Sequence, residues 1–179
     1  MKKIFLVLIT AFAFSGCEKD DICDGNTPTT PRLVIECYEF GAITPTIKAV
    51  TKLKAVATTE SEGVIFNTAT DATKYLLNGT KILLPLKIND NLNTETVVYN
   101  LTLNFGDTNA NSDFLTIKYV QNKVYISRAC GYKTLFNLDA TAPVTVAEPS
   151  TPDGAWIKAI QIVKPNLETE NETHVKIYF

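Results

Sequence analysis

The sequence predicts an all-β domain, and three observations carry that prediction. Apolar and polar residues alternate with a period of two along several short stretches. The clearest runs from Glu95 to Phe105, where Val97, Tyr99, Leu101, Leu103 and Phe105 share one face and Thr96, Asn100, Thr102 and Asn104 the other. Turn-forming residues punctuate the chain every ~8 to 12 residues. After the first residues, no stretch shows a convincing helical period.

Taken in order, the folded part begins at Arg32. From there to Phe40, Leu33, Ile35 and Cys37 share a strand face. Ile47 to Thr58 reads as a half-buried strand, with Ile47, Ala49, Leu53, Ala55 and Ala57 opposite Lys48, Lys52 and Lys54. Val64 to Phe66 follows the Glu62-Gly63 turn as a short strand. Tyr75 to Leu77 then leads through Asn78-Gly79, a hairpin dipeptide, into Ile82 to Ile88. Pro85 has no N–H to donate, so that strand lies at an edge or bulges. Glu95 to Phe105, Phe114 to Val120 and Lys123 to Ala129 form a meander, with turns at Gly106 to Asp113 and at Gln121-Asn122. In its second strand Leu115, Ile117 and Tyr119 share a face, and Leu135-Phe136 continues as a further strand. Thr141 to Gly154 carries Pro143, Pro149 and Pro152 and reads as a long connection between sheets. Trp156 to Val163 is apolar on both faces, either a central strand or a short helix, and its β-rich context favours strand. Val175, Ile177 and Phe179 close the chain as a last strand. The sum is a single domain over residues 32–179, an antiparallel β-sandwich of about nine or ten strands, immunoglobulin-like or transthyretin-like.

The N-terminus is of a different kind. Lys2 and Lys3 precede an apolar run, Ile4 to Phe14, and then Ser15-Gly16-Cys17, the pattern of a secretory leader with its cleavage site. A run of roughly 11 residues falls short of the ~20 needed to span a bilayer. Ser15-Gly16-Cys17 resembles the lipobox of bacterial lipoproteins, with Phe14 where Leu is usual. The resemblance implies that residues 1–16 are a signal peptide and that Cys17 becomes the lipid-bearing first residue, followed by a linker to Pro31. More than one acyl chain gives stable anchoring where one is marginal. The alternative is an ordinary secreted chain with Cys17 as a spare thiol. Glu18-Lys19-Asp20-Asp21 is similar to the surface-export signal of Bacteroidota lipoproteins; read as a plain charged linker, it leaves the protein on the periplasmic face.

Loss of residues 1–16 leaves 163 residues and removes two lysines, so the net charge moves from −2 to −4. With no basic run, the chain has no nucleic-acid signature. With Cys17 lipidated, three cysteines remain. Cys37 shares a face with Leu33 and Ile35 and reads as core, whereas Cys23 in the polar tail and Cys130 at a strand end are free to meet as a disulfide. Spacing for zinc is missing, since no CxxC occurs.

Catalytic patterns are thin. His174 is the only histidine, and no GxSxG nucleophile motif occurs. Asp107, Asn109, Asn111 and Asp113 imitate the start of a calcium loop, but Ser112 stands where Gly makes the turn and Lys118 where a bidentate Glu is needed. The reading is therefore a non-enzyme with no metal or cofactor. Tyr38, Tyr125, Trp156 and Tyr178 are candidate binding aromatics, able to stack on a glycan or anchor a protein partner.

As a whole the chain resembles an uncharacterised family of small Bacteroidota outer-membrane lipoproteins. The resemblance rests on Cys17 to Asp24, Thr27 to Ile35, and Ser127-Arg-Ala-Cys-Gly-Tyr-Lys133. It implies a location at the outer membrane and supports the Cys23–Cys130 pair, and it assigns no activity. The expected function is a lipid-anchored binding or scaffolding module of the envelope, facing an envelope protein or glycan. The alternative is an enzyme acting on envelope or extracellular polysaccharide.

Overall fold

The computed structural model describes residues 22–25, 27, 29–89, 94–149 and 154–179. Eleven strands occur among them: β1 (Leu33–Tyr38), β2 (Val50–Ala57), β3 (Leu76–Gly79), β4 (Lys81–Leu84), β5 (Glu95–Leu103), β6 (Asn111–Ser127), β7 (Gly131–Leu138), β8 (Val144–Ala147), β9 (Ala159–Ile162), β10 (Asn166–Leu167) and β11 (Val175–Tyr178). They form a four-stranded sheet, in the order β4-β1-β11-β9, and a seven-stranded sheet, in the order β10-β7-β6-β5-β2-β3 with β8 also on β6. The inward rows of the two sheets make one shared core. Leu33, Ile35 and Cys37 of β1 and Val175 and Ile177 of β11 meet Tyr99 and Leu101 of β5 and Leu115, Ile117 and Tyr119 of β6. The all-β, two-sheet fold is as expected, with one parallel pair, since β1 runs beside β11 with Ile35 opposite Val175.

Local pattern succeeds where one face is buried. In β5, Val97, Tyr99 and Leu101 are buried and Thr96 is exposed, as the alternation requires. Phe105 departs from the row: β5 has ended at Leu103, and its exposed ring lies under the Lys54 ammonium at 4.3 Å. In β2 the phase slips. Lys52 takes φ 45° and the register shifts between Val50 and Leu53, so these two share the buried face three residues apart. Ile47 is left exposed and Ala49 gives its place to Val50.

Four further expectations change. Gln121-Asn122 does not turn the chain: β6 runs unbroken for 17 residues, and the real turn lies between Ser127 and Gly131. Asn78-Gly79 is not a hairpin turn, because Gly79 pairs with Val50 while the following strand, β4, joins the other sheet beside β1. Val64 to Phe66 is irregular, held by Val64 N–H to Ala55 O and Phe66 N–H to Lys74 O. The connection after Thr141 contains β8, whose Val144 to Ala147 pairs with Ile117 to Phe114.

Pro85 acts as foreseen: β4 stops at Leu84 and is an edge strand. The segment beyond it is latched from the large sheet. Tyr99 O–H donates to Pro85 O, Tyr119 O–H to Lys87 O at 2.8 Å, and the Gln121 amide to the Asn89 side chain. Burial pushes the Tyr119 hydroxyl up to about 12 and Tyr99 higher still, so both stay neutral donors. Trp156 to Val163 is strand only over Ala159 to Ile162; the turn at Gly154, φ 87°, precedes Trp156, whose indole lies inside the core.

Candidate functional site

The feature that stands apart from the sandwich is the far end of β6. Its pairing with β5 ends at Tyr119 opposite Glu95, and from Val120 to Ser127 its described strand partner is β7. The hairpin closes through Arg128 to Cys130 and Gly131 at φ 66°, with the Ser127 hydroxyl accepting from Cys130 N–H at 3.1 Å. Cys130 is bonded to Cys23 with Cα atoms 4.9 Å apart, so the N-terminal tail is stapled to the hairpin tip. A second tie follows, from Thr134 N–H to the Thr30 hydroxyl at 2.9 Å. Between tail and hairpin lies a cleft of about 340 Å³ lined by Thr27, Thr29, Thr30, Ile126, Tyr132 and Lys133.

Two tyrosines dominate this end. Tyr125 and Tyr132 are directly opposed across the hairpin, with ring centroids 5.3 Å apart edge to face, and are 54% and 69% exposed. The reason lies in strand phase. Tyr125 continues the row Leu115, Ile117, Tyr119, Gln121 of β6, and Tyr132 the row Leu138, Phe136, Thr134 of β7, all buried. Both therefore extend the core-facing surface past the point where it is covered. Tyr125, a candidate binding aromatic in the sequence, owes its exposure to this phase. Tyr132 was overlooked, although its spacing of two from Thr134 and four from Phe136 was the signal.

The other expected site residues scatter. Tyr38 and Tyr178 stack at 5.6 Å on the outer face of the small sheet. Their hydroxyls donate to Glu36 and Gln161, each at 2.8 Å, and the Lys176 ammonium lies 4.7 Å over the Tyr38 ring. The Glu36 hydrogen bond raises the Tyr38 pKa further. Tyr38 is only 7% exposed. Trp156 is no surface residue: it is 6% exposed, donates to Leu101 O at 3.0 Å, and stands edge-on to Phe179. The four aromatics thus lie in three separate places and do not form one exposed patch. Cys17 lies outside the described residues.

The calcium-like loop is also dispersed. Asp107 pairs with the Lys52 ammonium at 2.7 Å, Asn111 donates to Gly154 O, and Asp113 is buried, accepting from Ile157 N–H at 2.7 Å. Asp113 sits in phase with Leu115 and Ile117, a signal that marked it as inward, and it holds the turn that inserts Trp156. Among the described residues no group of three or more His, Cys, Asp or Glu side chains could hold a metal. His174 is fully buried, its Nδ1 accepting from Val34 N–H at 3.0 Å, and desolvation lowers its pKa. Among the described residues Cys37 is the free thiol, buried, and pushed up to about 12 by desolvation.

Fold and site together define a small two-sheet β domain whose N-terminal tail is clamped by a disulfide to a projecting hairpin. The chain belongs to the family of unknown function DUF6452, whose model matches residues 52–179. That match begins inside β2 and contains Cys130 but not Cys23. Comparison with curated proteins and with solved structures finds no match.

Proposed function

We propose that this chain is a lipid-anchored protein of the bacterial outer membrane, carried to the surface face, whose β-sandwich serves as a binding or scaffolding module and not as an enzyme. The observation that carries the reading is the Cys23–Cys130 disulfide. Such a bond persists in an oxidising compartment, where a chain bearing the leader-like segment Lys2 to Cys17 would be delivered. It also converts a loose tail into a short tether. Five residues separate Cys17 from Cys23 and reach at most ~20 Å, so an anchor on Cys17 holds the hairpin end near the bilayer.

The non-enzymatic part is supported by what the two most reactive side chain types do. The sole histidine is tied to β1 through Val34, and the free thiol is buried and held protonated. Fractionation tests the reading. Wild-type protein should sediment with the outer membrane and the Cys17→Ala variant should be released; equal sedimentation of both overturns the anchor. Protease added to intact cells should remove the domain, and full protection would place it on the periplasmic face.

A further inference from the structure

Around the disulfide, three large apolar side chains are exposed together on covalently linked segments. Ile22, next to Cys23, is 83% exposed, and Tyr125 and Tyr132 flank the turn that carries Cys130. The two rings stand edge to face, a rigid pair with few rotatable bonds and polar tips, which is the chemistry enriched where proteins meet the headgroup layer. The tether length decides what they face. With five residues between Cys17 and Cys23, the anchored chain cannot carry this end more than ~20 Å from the lipid.

We infer that the β6–β7 hairpin end is a membrane-contact surface, with Tyr125, Tyr132 and Ile22 seated in the interfacial layer of the bilayer that holds the anchor. This inference rests on the lipid-anchor reading and adds to it a fixed orientation of the domain. Charge does not drive the contact. Over residues 18–24 and 123–133 the sequence carries Lys19, Lys123, Arg128 and Lys133 against Glu18, Asp20, Asp21 and Asp24, so the contact is aromatic and insensitive to salt. The opposite end points away from the bilayer. Phe40 N–H bonds Phe179 O, the Phe179 ring packs on Trp156, and Trp156 bonds Leu101, which stands opposite Asp113. The twelve residue-to-residue steps from Asp113 to Tyr125 span roughly 40 Å.

The test uses the full chain, expressed with its leader, purified in lipidated form and reconstituted into vesicles of phosphatidylethanolamine and phosphatidylglycerol, with a portion of the lipid brominated high on the acyl chain. Tyr125→Trp and Tyr132→Trp report on the hairpin, Ile43→Trp, at a fully exposed position three residues beyond Phe40, reports on the far end, and the wild type gives the signal of buried Trp156. Mass spectrometry of Cys17 and a non-reducing gel accompany each sample. The expected result is loss of emission in both hairpin variants at low and high salt, with none in Ile43→Trp or the wild type. A lipid mass on Cys17 with hairpin variants quenched no more than Ile43→Trp overturns the membrane contact while the anchor stands. Quenching that vanishes at high salt overturns its aromatic character, and absence of lipid on Cys17 overturns the anchor and the contact with it.

Discussion

Removing the Cys23–Cys130 bond gives the sharpest measure of how the tail is held. The two cysteines are 107 residues apart, so the bond closes a loop that takes in most of the strands. Cross-linking a loop of that length withdraws ~16 cal/mol/K of entropy from the unfolded chain, about 5 kcal/mol at room temperature. Little of this is offset in the folded state, because Cys23 is exposed and the tail keeps its separate tie from Thr134 to Thr30. For a domain of this size, 1 kcal/mol moves Tm by about 2 to 4 °C, so the Cys23→Ser/Cys130→Ser variant should melt ~10 to 20 °C below the oxidised wild type. Urea unfolding should show a lower midpoint, together with a larger m value as the unfolded chain expands. The assay is paired thermal and urea denaturation of the variant and the oxidised protein, with reduced wild type as a second form lacking the bond. A Tm drop under about 3 °C in both forms lacking the bond would refute the loop-closure argument, since less than about 1 kcal/mol would then trace to the unfolded state.

Other outcomes follow from single side chains. Cys37 should be silent to thiol reagents in the native protein and react only on denaturation, because burial pushes its pKa up to about 12; Cys37→Ser, which buries a hydroxyl among apolar neighbours, should destabilise by about 1 to 3 kcal/mol in urea. Tyr119→Phe removes the donor to Lys87 O and should lower stability by about 1 to 2 kcal/mol; a loss below about 0.5 kcal/mol would show that the latch on the segment after β4 carries no weight. His174 has a pKa lowered below its ordinary 6.5, chiefly by desolvation, amid Glu170, Glu172 and Lys164. The unfolded chain therefore takes up the proton first, and stability present above pH 6.5 is lost as pH falls below it. Melting followed from about pH 7.5 to about 5.5 should fall in the wild type and stay flat in His174→Gln. The Glu170 carboxylate, lowered by its bond from Arg32, adds a second loss only below 4.5.

What was legible in the chain followed from local physics, and what was not followed from distance. The β5 alternation was readable because one face of that strand is core and the other wet, and Cys37 was readable as core from its place beside Leu33 and Ile35. Cys23 and Cys130 could be matched by elimination, and the structure bonds them. Asn78-Gly79 misled because a favourable turn dipeptide was overridden by pairing with β2 from one sheet and β1 from the other. Gln121-Asn122 misled in the reverse direction: polar residues inside a strand look like a break, yet β6 runs through them, with Gln121 buried and bonded to the Asn89 side chain and Asn122 exposed. The Lys52 bulge, the parallel β1–β11 pair and β8 among its prolines depend on partners many residues away, which periodicity does not report.

That extension of β6 also sets how a pull on the tail would enter the fold. A pull on the tail passes through Cys23 to Cys130 and enters the closed end of the β6–β7 hairpin along the strand direction. Deeper in the sheet, β6 is paired with all nine residues of β5 on one side and with β8 on the other. Force along β6 therefore loads those ladders in shear, many hydrogen bonds at once, and does not peel them one by one from an end. Without the disulfide the same pull would reach the fold through Thr30 and Arg32. It would then act on β1, the strand that the small sheet holds between β4 and β11. The bond thus moves the point of attachment from the short first strand to the longest of the described strands, and a single-molecule pull through Cys17 should need more force with the bond than in the Cys23→Ser/Cys130→Ser variant. Equal forces would mean that the hairpin yields before the sheet is loaded.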